Sequence, residues 1–307
     1  MDKIPVGATI GHAYSFAFKD FLKILGVMWV PFVIMMAATL ALGTQVTAFT
    51  NALTTKNFAA VSNVISVLGP AYILFLFLIV MQILGITELA LGKRQGASPY
   101  FFFTLGKPLW RLIGAYLLVV LLLIAAILVF VFAAGILAAI FTGVTGVAKG
   151  AKPSGAAAGV LGLAVVIIVP IVYCAFIYGL VRQTFFLTPV VVAEERLGLR
   201  RAWSLGRGNF WRMFVIILAL LVPFVILEGV FLIEFVWQGL PPTAAQGATP
   251  EQITAWSMNS ATRMQHYWFV LYPIYLIVSV IFYGYACGAQ AFAYRSLVPA
   301  EKAEDVF

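Results

Sequence analysis

The chain has 307 residues, of which 63% are apolar or aromatic and only 10% are charged. An ordinary soluble domain has about a quarter of its residues charged, so this composition excludes a soluble protein. The formal net charge is +8. Because the basic residues flank apolar stretches, this charge is typical of a membrane protein and argues against nucleic-acid binding.

Six apolar stretches are each long enough to cross a hydrocarbon core about 30 Å thick. The sequence therefore predicts an all-α integral membrane protein, a single membrane domain over residues 1–307, with six transmembrane helices. The predicted spans cover residues 24–43, 66–92, 110–141, 157–181, 211–235 and 267–293. The second and third spans exceed the length of a perpendicular crossing, so they are expected to tilt, to project, or to break near Gly69-Pro70 and Gly135.

The basic residues are divided unequally between the two sides of the predicted bundle. Of the 19 Lys and Arg residues, one side receives only Lys56, Lys149, Lys152 and Arg263, and the other receives the remaining 15. By the positive-inside rule, this division predicts that both termini are cytoplasmic. The expected location is the bacterial cytoplasmic (inner) membrane.

An internal repeat is indicated at the cytoplasmic ends of three spans. Residues 13–23, before the first span, align without a gap with residues 202–212, before the fifth, and residues 101–111 form a weaker third copy. Each copy would begin a two-span unit of a parallel repeat with an amphipathic helix at the membrane interface. These interfacial helices are predicted near residues 8–22, 98–107 and 197–208. Alternatively, every cytoplasmic end of a span collects Trp, Phe, Lys and Arg, and the similarity is due to chance.

Interfacial helices of this kind bury aromatic side chains in the headgroup layer while their basic side chains face phosphates. The candidate contacts with lipid headgroups are Lys19, Lys23, Lys107, Arg111, Arg207 and Arg212. They predict anionic membrane phospholipids as partners at the cytoplasmic face. Protein partners in a larger membrane complex are the other expectation.

Residues 202–212, the segment before the fifth span, belong to a longer motif. The run Pro189-Val-Val-Val-Ala-Glu-Glu195 is followed by Leu199-Arg-Arg-Ala-Trp-Ser-Leu-Gly-Arg-Gly-Asn-Phe-Trp-Arg212. This motif resembles the membrane domain that is fused to some bacterial glycerophosphodiester phosphodiesterases, and it is similar to stand-alone six-span proteins with that domain. The resemblance implies the membrane layout only, because hydrolysis in the fused enzymes belongs to a separate soluble domain. It implies no catalytic residues here.

Polar groups inside apolar spans are costly and are therefore candidates for function. Glu88, Arg182, Gln183 and Gln290 are expected near the cytoplasmic ends of their spans. One interpretation is a structural ion pair between Glu88 and Arg182, or snorkelling of both groups to the interface. The other is that all four residues converge on a polar cavity for a lipid headgroup or an ion.

A second, outer cluster is formed by residues predicted on the opposite side: Glu228, Glu234, Arg263 and His266. His266 is interpreted as an interfacial histidine beside Tyr267 and Trp268, with a proton relay or metal ligand as the alternative. The outer side also has a helix start at Thr249-Pro250, which predicts an amphipathic helix to Met264 along the surface.

Signals for enzyme chemistry are missing from the sequence. There is no phosphate-binding glycine loop, no nucleophile motif beside a histidine, and no metal-ligand spacing, so neither cofactor nor metal is expected. Cys174 and Cys287 are interpreted as small buried hydrophobes. The leading hypothesis is a non-enzymatic protein of envelope maintenance, which binds lipid or supports a membrane complex. The alternatives are a transporter of a solute or lipid through the Glu88 and Arg182 region and, ranked last, an intramembrane enzyme that uses Glu228 and His266.

Overall fold

The computed structural model describes residues 3–54, 57–93, 102, 105–145, 155–237 and 249–298. Within these ranges all regular structure is α-helical, which confirms the predicted class. In chain order the helices are α1 Val6–Lys19, α2 Phe21–Thr54, α3 Phe58–Ala90, α4 Lys107–Thr145, α5 Gly155–Thr184, α6 Leu187–Glu194, α7 Leu199–Leu205, α8 Phe210–Trp237 and α9 Pro250–Leu297.

The predicted spans correspond to helical segments with the length and hydropathy of membrane crossings. Five such segments are Phe21–Gly43, Phe58–Ala90, Lys107–Phe132, Pro170–Glu194 and Tyr272–Leu297. A sixth is obtained when α7 and the first part of α8, which meet at 95°, are counted as one bent span. The protein is therefore a helical membrane protein with five or six crossings in its described part.

Several helices are longer than a bilayer requires. Helix α3 continues through Pro70, and α4 continues through Gly135, so the runs do not break at either place. Helix α9 begins at Pro250 with Thr249 and Gln252 forming a capping box, as the sequence predicts. It then continues without interruption to Leu297, so the prediction of a separate surface helix ending at Met264 is wrong. Its 48 residues extend over roughly 72 Å, more than twice the thickness of a hydrocarbon core.

The short helices differ partly from the sequence predictions. Helices α1 and α7 overlap the ranges 8–22 and 197–208 that were predicted for interfacial helices, and their place at the membrane interface stays a prediction. Most of the third range, 98–107, lies outside the described residues. Of its described members, Phe102, Leu105 and Gly106 are not helical, and Lys107 begins α4. Helix α6 was not predicted, because its apolar residues continue the composition of span four.

The hydrophobic core is centred on α6. All residues from Phe185 to Val192 are buried, and α6 packs against α3, α4 and α9. Side chains that surround it and are fully or almost fully buried include Met81, Leu84, Ile86, Leu109 and Leu112. We call the end of the bundle that carries α6, α7 and the N-terminus of α1 the basic end, because Arg196, Arg200, Arg201 and Arg212 lie there.

Close packing of α9 against α1 and α2 depends on Gly284. A Cβ atom at this position would lie 2.9 Å from Ile24 Cδ1 and 3.2 Å from Ala17 Cα. We expect Gly284→Ala to lower the free energy of unfolding by about 1–3 kcal/mol, because the backbone of α1 would have to move. Gly135→Ala is the control, since a Cβ atom there meets nothing within 4 Å. Thermal unfolding in detergent would test both, and equal stability of the two variants would contradict the prediction.

Candidate functional site

A groove opens between α5 and α8 at the basic end of the bundle. Its volume is about 840 Å³. It is lined on α5 by Cys174, Ala175, Ile177 and Tyr178, on α8 by Phe210, Trp211, Arg212 and Phe214, and at its mouth by Lys3 and Gly208. The side chains of Trp211 and Cys174 are exposed. The groove is therefore open to the surroundings of the bundle along its aromatic wall.

Polarity changes along the length of this groove. Its charged groups, Lys3 and Arg212, lie where α8 begins. Cys174 lies ten residues before the end of α5, which is about 15 Å along the helix axis. Aromatic side chains lie at the same level as these charged groups, where the Tyr178 and Phe210 ring centroids are 4.8 Å apart, and Phe214 lies one turn beyond Phe210 on α8. The groove thus has basic and aromatic side chains at its mouth and smaller, apolar side chains further along α5.

The mouth of the groove is fixed by the N-terminal segment. The Ile4 N–H donates to Asn209 Oδ1 at 3.2 Å, and Arg212 Nη1 donates to the Ile4 carbonyl at 2.6 Å. Ile4 is fully buried, and Asn209 is buried as well. These bonds attach the chain beside α8 and so place Lys3 next to Arg212. Sequence analysis missed Lys3 and Ile4, because no local pattern shows where an N-terminal segment docks.

Arg182 connects α5 to α7 across one side of the groove. Its Nε donates to the Trp203 carbonyl at 3.1 Å, and its Nη1 donates to Tyr178 Oη at 2.9 Å. The guanidinium carbon lies 4.1 Å from the centroid of the Trp203 ring. Arg182 therefore holds the interfacial helix α7 and also orients Tyr178 in the groove wall.

Two residues of the predicted intramembrane polar site, Arg182 and Gln183, make hydrogen bonds to α7. Gln183 Nε2 donates to the Leu199 carbonyl at 3.2 Å, so Gln183 also braces α7. Glu88 lies in the last turn of α3 and Gln290 on α9, both half-buried. The ion pairs within the described ranges do not join Glu88 to Arg182. The pair and the shared cavity therefore stay hypotheses, and the described contacts of Arg182 and Gln183 are structural.

The six predicted headgroup contacts have different surroundings. Lys23 forms an ion pair with Asp20 at 2.6 Å, and Arg111 forms one with Glu195 at 3.1 Å. Lys19 lines a smaller cavity, of about 230 Å³, with His12 and Arg295. The other three are exposed Lys107 at the start of α4, exposed Arg207 in the turn before α8, and Arg212 in the groove. Of the six, only Arg212 lines the groove.

The predicted outer cluster lies on α8 and α9. Glu228 and Glu234 belong to α8, and Arg263 and His266 belong to α9. Their side chains are outside the described part of the structure, so the cluster stays a prediction. In the described part, no three His, Cys, Asp or Glu side chains are grouped so that they could hold a metal ion. Cys287 is buried as predicted, whereas Cys174 is exposed, so the prediction for Cys174 is wrong.

A second polar region follows α6. The Glu194 carboxylate, only 8% exposed, pairs with Arg196 and Arg201 and accepts a hydrogen bond from Tyr294 Oη at 3.2 Å. Lys93 Nζ donates to the carbonyls of Val192 and Ala193 at 3.0 and 2.9 Å, near the negative end of the helix dipole. These bonds connect α6 to α3, α7 and α9. In the sequence Glu194 was noted only as part of a motif, and this connecting role was not predicted.

Comparison of the chain with protein-family models, with curated proteins and with solved structures finds no match to any of them. The resemblance to the membrane domain of glycerophosphodiester phosphodiesterases therefore stays a prediction, and the function must be argued from the groove and its surroundings.

Proposed function

We propose that the protein is a non-enzymatic, phospholipid-binding protein of the bacterial cytoplasmic membrane, with a role in envelope maintenance. The groove between α5 and α8 is the observation that carries this proposal. An anionic phospholipid would place its headgroup between Lys3 and Arg212 and the first part of its acyl chains beside Cys174 and Ala175.

The chemistry of the groove supports this assignment. A phosphate accepts charge-assisted hydrogen bonds from Lys and Arg, which are roughly twice as strong as neutral ones. Arg212 uses Nη1 for the Ile4 carbonyl, and its guanidinium has further N–H donors for a headgroup. Aromatic side chains such as Trp211 and Tyr178 are enriched at the headgroup level of membranes. The groove, with basic and aromatic side chains at its mouth and apolar side chains further in, therefore suits a phospholipid with an anionic headgroup and acyl chains.

The position of α7 supports placing the groove mouth at the membrane interface. Because α7 meets α8 at 95°, α7 lies roughly parallel to the membrane surface when α8 crosses it. Trp203 on α7 and Trp211 on α8 both have exposed rings. With 15 of the 19 basic residues on this side, we propose that the basic end is cytoplasmic and that both termini lie there.

The proposed parallel repeat is supported by burial at equivalent positions. Extending the alignment of the three segments into their helices makes Ile24, Leu112 and Met213 equivalent, and all three are fully buried. Val27, Ala115 and Ile216, one turn further, are also buried. A repeated two-span unit would explain why the first turns of α2, α4 and α8 are buried at the same positions.

Lipid retention tests the proposed function. The protein would be extracted with its native lipids in polymer nanodiscs, and the bound phospholipids would be identified by native mass spectrometry. We expect wild type to retain an anionic phospholipid and Lys3→Glu to retain roughly tenfold less, because each basic group near an anionic surface contributes about 1 kcal/mol. Arg295→Glu is the matched control, since it makes the same charge change at an exposed site that lies outside the groove and is not among the predicted headgroup contacts.

Equal retention by Lys3→Glu and wild type would overturn the groove as the lipid site. Absence of retained lipid in wild type would overturn lipid binding altogether. In that case, crosslinking to a protein partner in native membranes would support the other half of the hypothesis, a membrane-complex support factor.

A further inference from the structure

Three arginines line a second cleft at the basic end. It lies between α7 and the turn that follows α6, with a volume of about 480 Å³. Its lining residues are Arg196, Gly198, Leu199, Arg200, Arg201 and Ser204. None of them lines the groove between α5 and α8. The cleft is therefore a separate place in the fold, which the proposed lipid site does not include.

The backbone that presents these arginines has a specific conformation. Glu195 and Gly198 both have left-handed backbone angles, with φ of 51° and 59°. A Cβ atom at Gly198 would lie 2.3 Å from Val190 Cγ1 in buried α6. Only glycine fits there, because both the backbone angle and the close approach exclude a side chain. The turn is thus tied to the core of the protein.

Glu194 orients two of the three arginines. Arg196 pairs with Glu194 Oε2, and Arg201 Nε donates to Oε1 at 3.2 Å. A guanidinium has five N–H donors, so each of these arginines keeps donors beyond those that face Glu194. The Arg200 side chain is exposed, and within the described ranges it forms no side-chain hydrogen bond or ion pair.

The charge of the cleft is positive after this pairing. Three guanidinium groups face one carboxylate, Glu194, while the neighbouring Glu195 pairs with Arg111 outside the cleft. A ligand that complements it needs negative charge and several acceptor oxygens close together. Phosphate has both, and the planar fork of arginine matches its geometry.

We propose that this cleft binds a phosphomonoester group, with Arg200 and Arg201 as its principal donors. The same group occurs in a lipid headgroup, as in phosphatidic acid, and in soluble phosphates. In either case the bound phosphate would connect α7, which carries Arg200 and Arg201, to the preceding turn, which carries Arg196.

The experiment uses the full chain in nanodiscs of phosphatidylcholine. Isothermal titration with glycerol 3-phosphate, a soluble phosphomonoester, tests the soluble source, and native mass spectrometry after addition of phosphatidic acid tests the lipid source. We expect saturable binding in at least one arm, reduced about tenfold in Arg200→Ala by loss of a charge-assisted donor. Arg200→Lys, which keeps the charge without the fork, is expected to recover only part of the affinity.

Two controls separate this proposal from the proposed lipid groove. Arg295→Ala removes an exposed arginine that lines neither the cleft nor the groove, and this variant is expected to bind glycerol 3-phosphate and phosphatidic acid like wild type. Lys3→Glu is expected to leave binding in the cleft unchanged, and Arg200→Ala is expected to leave retention of native phospholipid unchanged. Failure of wild type to bind in both arms would overturn the proposal, as would wild-type affinity of Arg200→Ala in the arm that binds.

Discussion

Replacing Ile4 with alanine is expected to lower the free energy of unfolding by about 2–4 kcal/mol, which is the usual cost of truncating a buried aliphatic side chain. Ile4 is fully buried although it lies only four residues from the start of the chain. Its backbone is held by Asn209 and Arg212, so the surrounding residues have little freedom to fill the cavity. The substitution should also weaken retention of lipid, because Lys3 depends on this segment for its position.

Leu197→Ala is the control for this effect. Leu197 has an aliphatic side chain of the same size, but it lies in the turn before α7 and is 44% exposed. We expect a change of less than about 1 kcal/mol, because much of the side chain is already in contact with solvent. Unfolding of both variants by titration with sodium dodecyl sulfate, followed by circular dichroism, provides the comparison. A loss of stability no greater for Ile4→Ala than for Leu197→Ala would show that the N-terminal segment is not an integral part of the core.

Replacing Glu194 with alanine is expected to be the other strongly destabilising change, at about 2 kcal/mol. The substitution removes the acceptor of the Tyr294 hydroxyl and the partner of Arg196 and Arg201. A buried group that loses its hydrogen-bond partner costs about 1–3 kcal/mol. The arginines add little, because their side chains are 55% and 42% exposed and water replaces part of the lost interaction.

Glu195→Ala gives a matched control in the next residue. Both substitutions remove one carboxylate that is paired with arginine, but the Glu195 side chain is 56% exposed and Arg111 is 34% exposed. Such a pair contributes about 0–1 kcal/mol. We therefore expect a clear difference between the two variants in thermal unfolding. Equal effects would mean that Glu194 does not connect α6 to α9 in the way that its contacts indicate.

The long helices of this fold could be predicted from the sequence, because the length of an apolar run is set by bilayer thickness. The boundaries of α5 and α8 lie close to the predicted spans for that reason, whereas α2 continues to Thr54, well past the predicted end of its span at residue 43. Helix α6 could not be predicted in the same way. Apart from Thr188, its residues from Leu187 to Val192 are apolar or proline, as in a span, and only their burial against three other helices shows that they belong to the core.

The candidate site was predictable only in part. Arg212 was identified because basic residues gather at the ends of spans. Lys3 from the N-terminal segment and Tyr178 from α5 line the same groove as Arg212. The sequence around Lys3 or Tyr178 does not indicate this contact. Arg182 shows the same limit: its position suggested Glu88 as a partner, which stays a hypothesis, whereas its hydrogen bonds to Tyr178 and Trp203 were not predicted. Contacts between distant parts of a chain depend on how helices pack, which spacing along one helix cannot specify.

The concentration of the core around α6 affects how this protein responds to the membrane that surrounds it. In the segment Pro170–Glu194, 50% of the most apolar window is buried, whereas in Lys107–Phe132 only 11% is buried. The segment Pro170–Glu194 ends in the core. The segment Lys107–Phe132 begins at the core and continues along α4 with exposed side chains such as Leu121, Val129 and Phe132. When the bilayer is thinner or thicker than the helices, the hydrophobic mismatch costs fractions of a kcal/mol per Å. The loosely packed part of α4 can meet that mismatch by changing its inclination, while the packing around α6, and with it the geometry of the groove, is preserved.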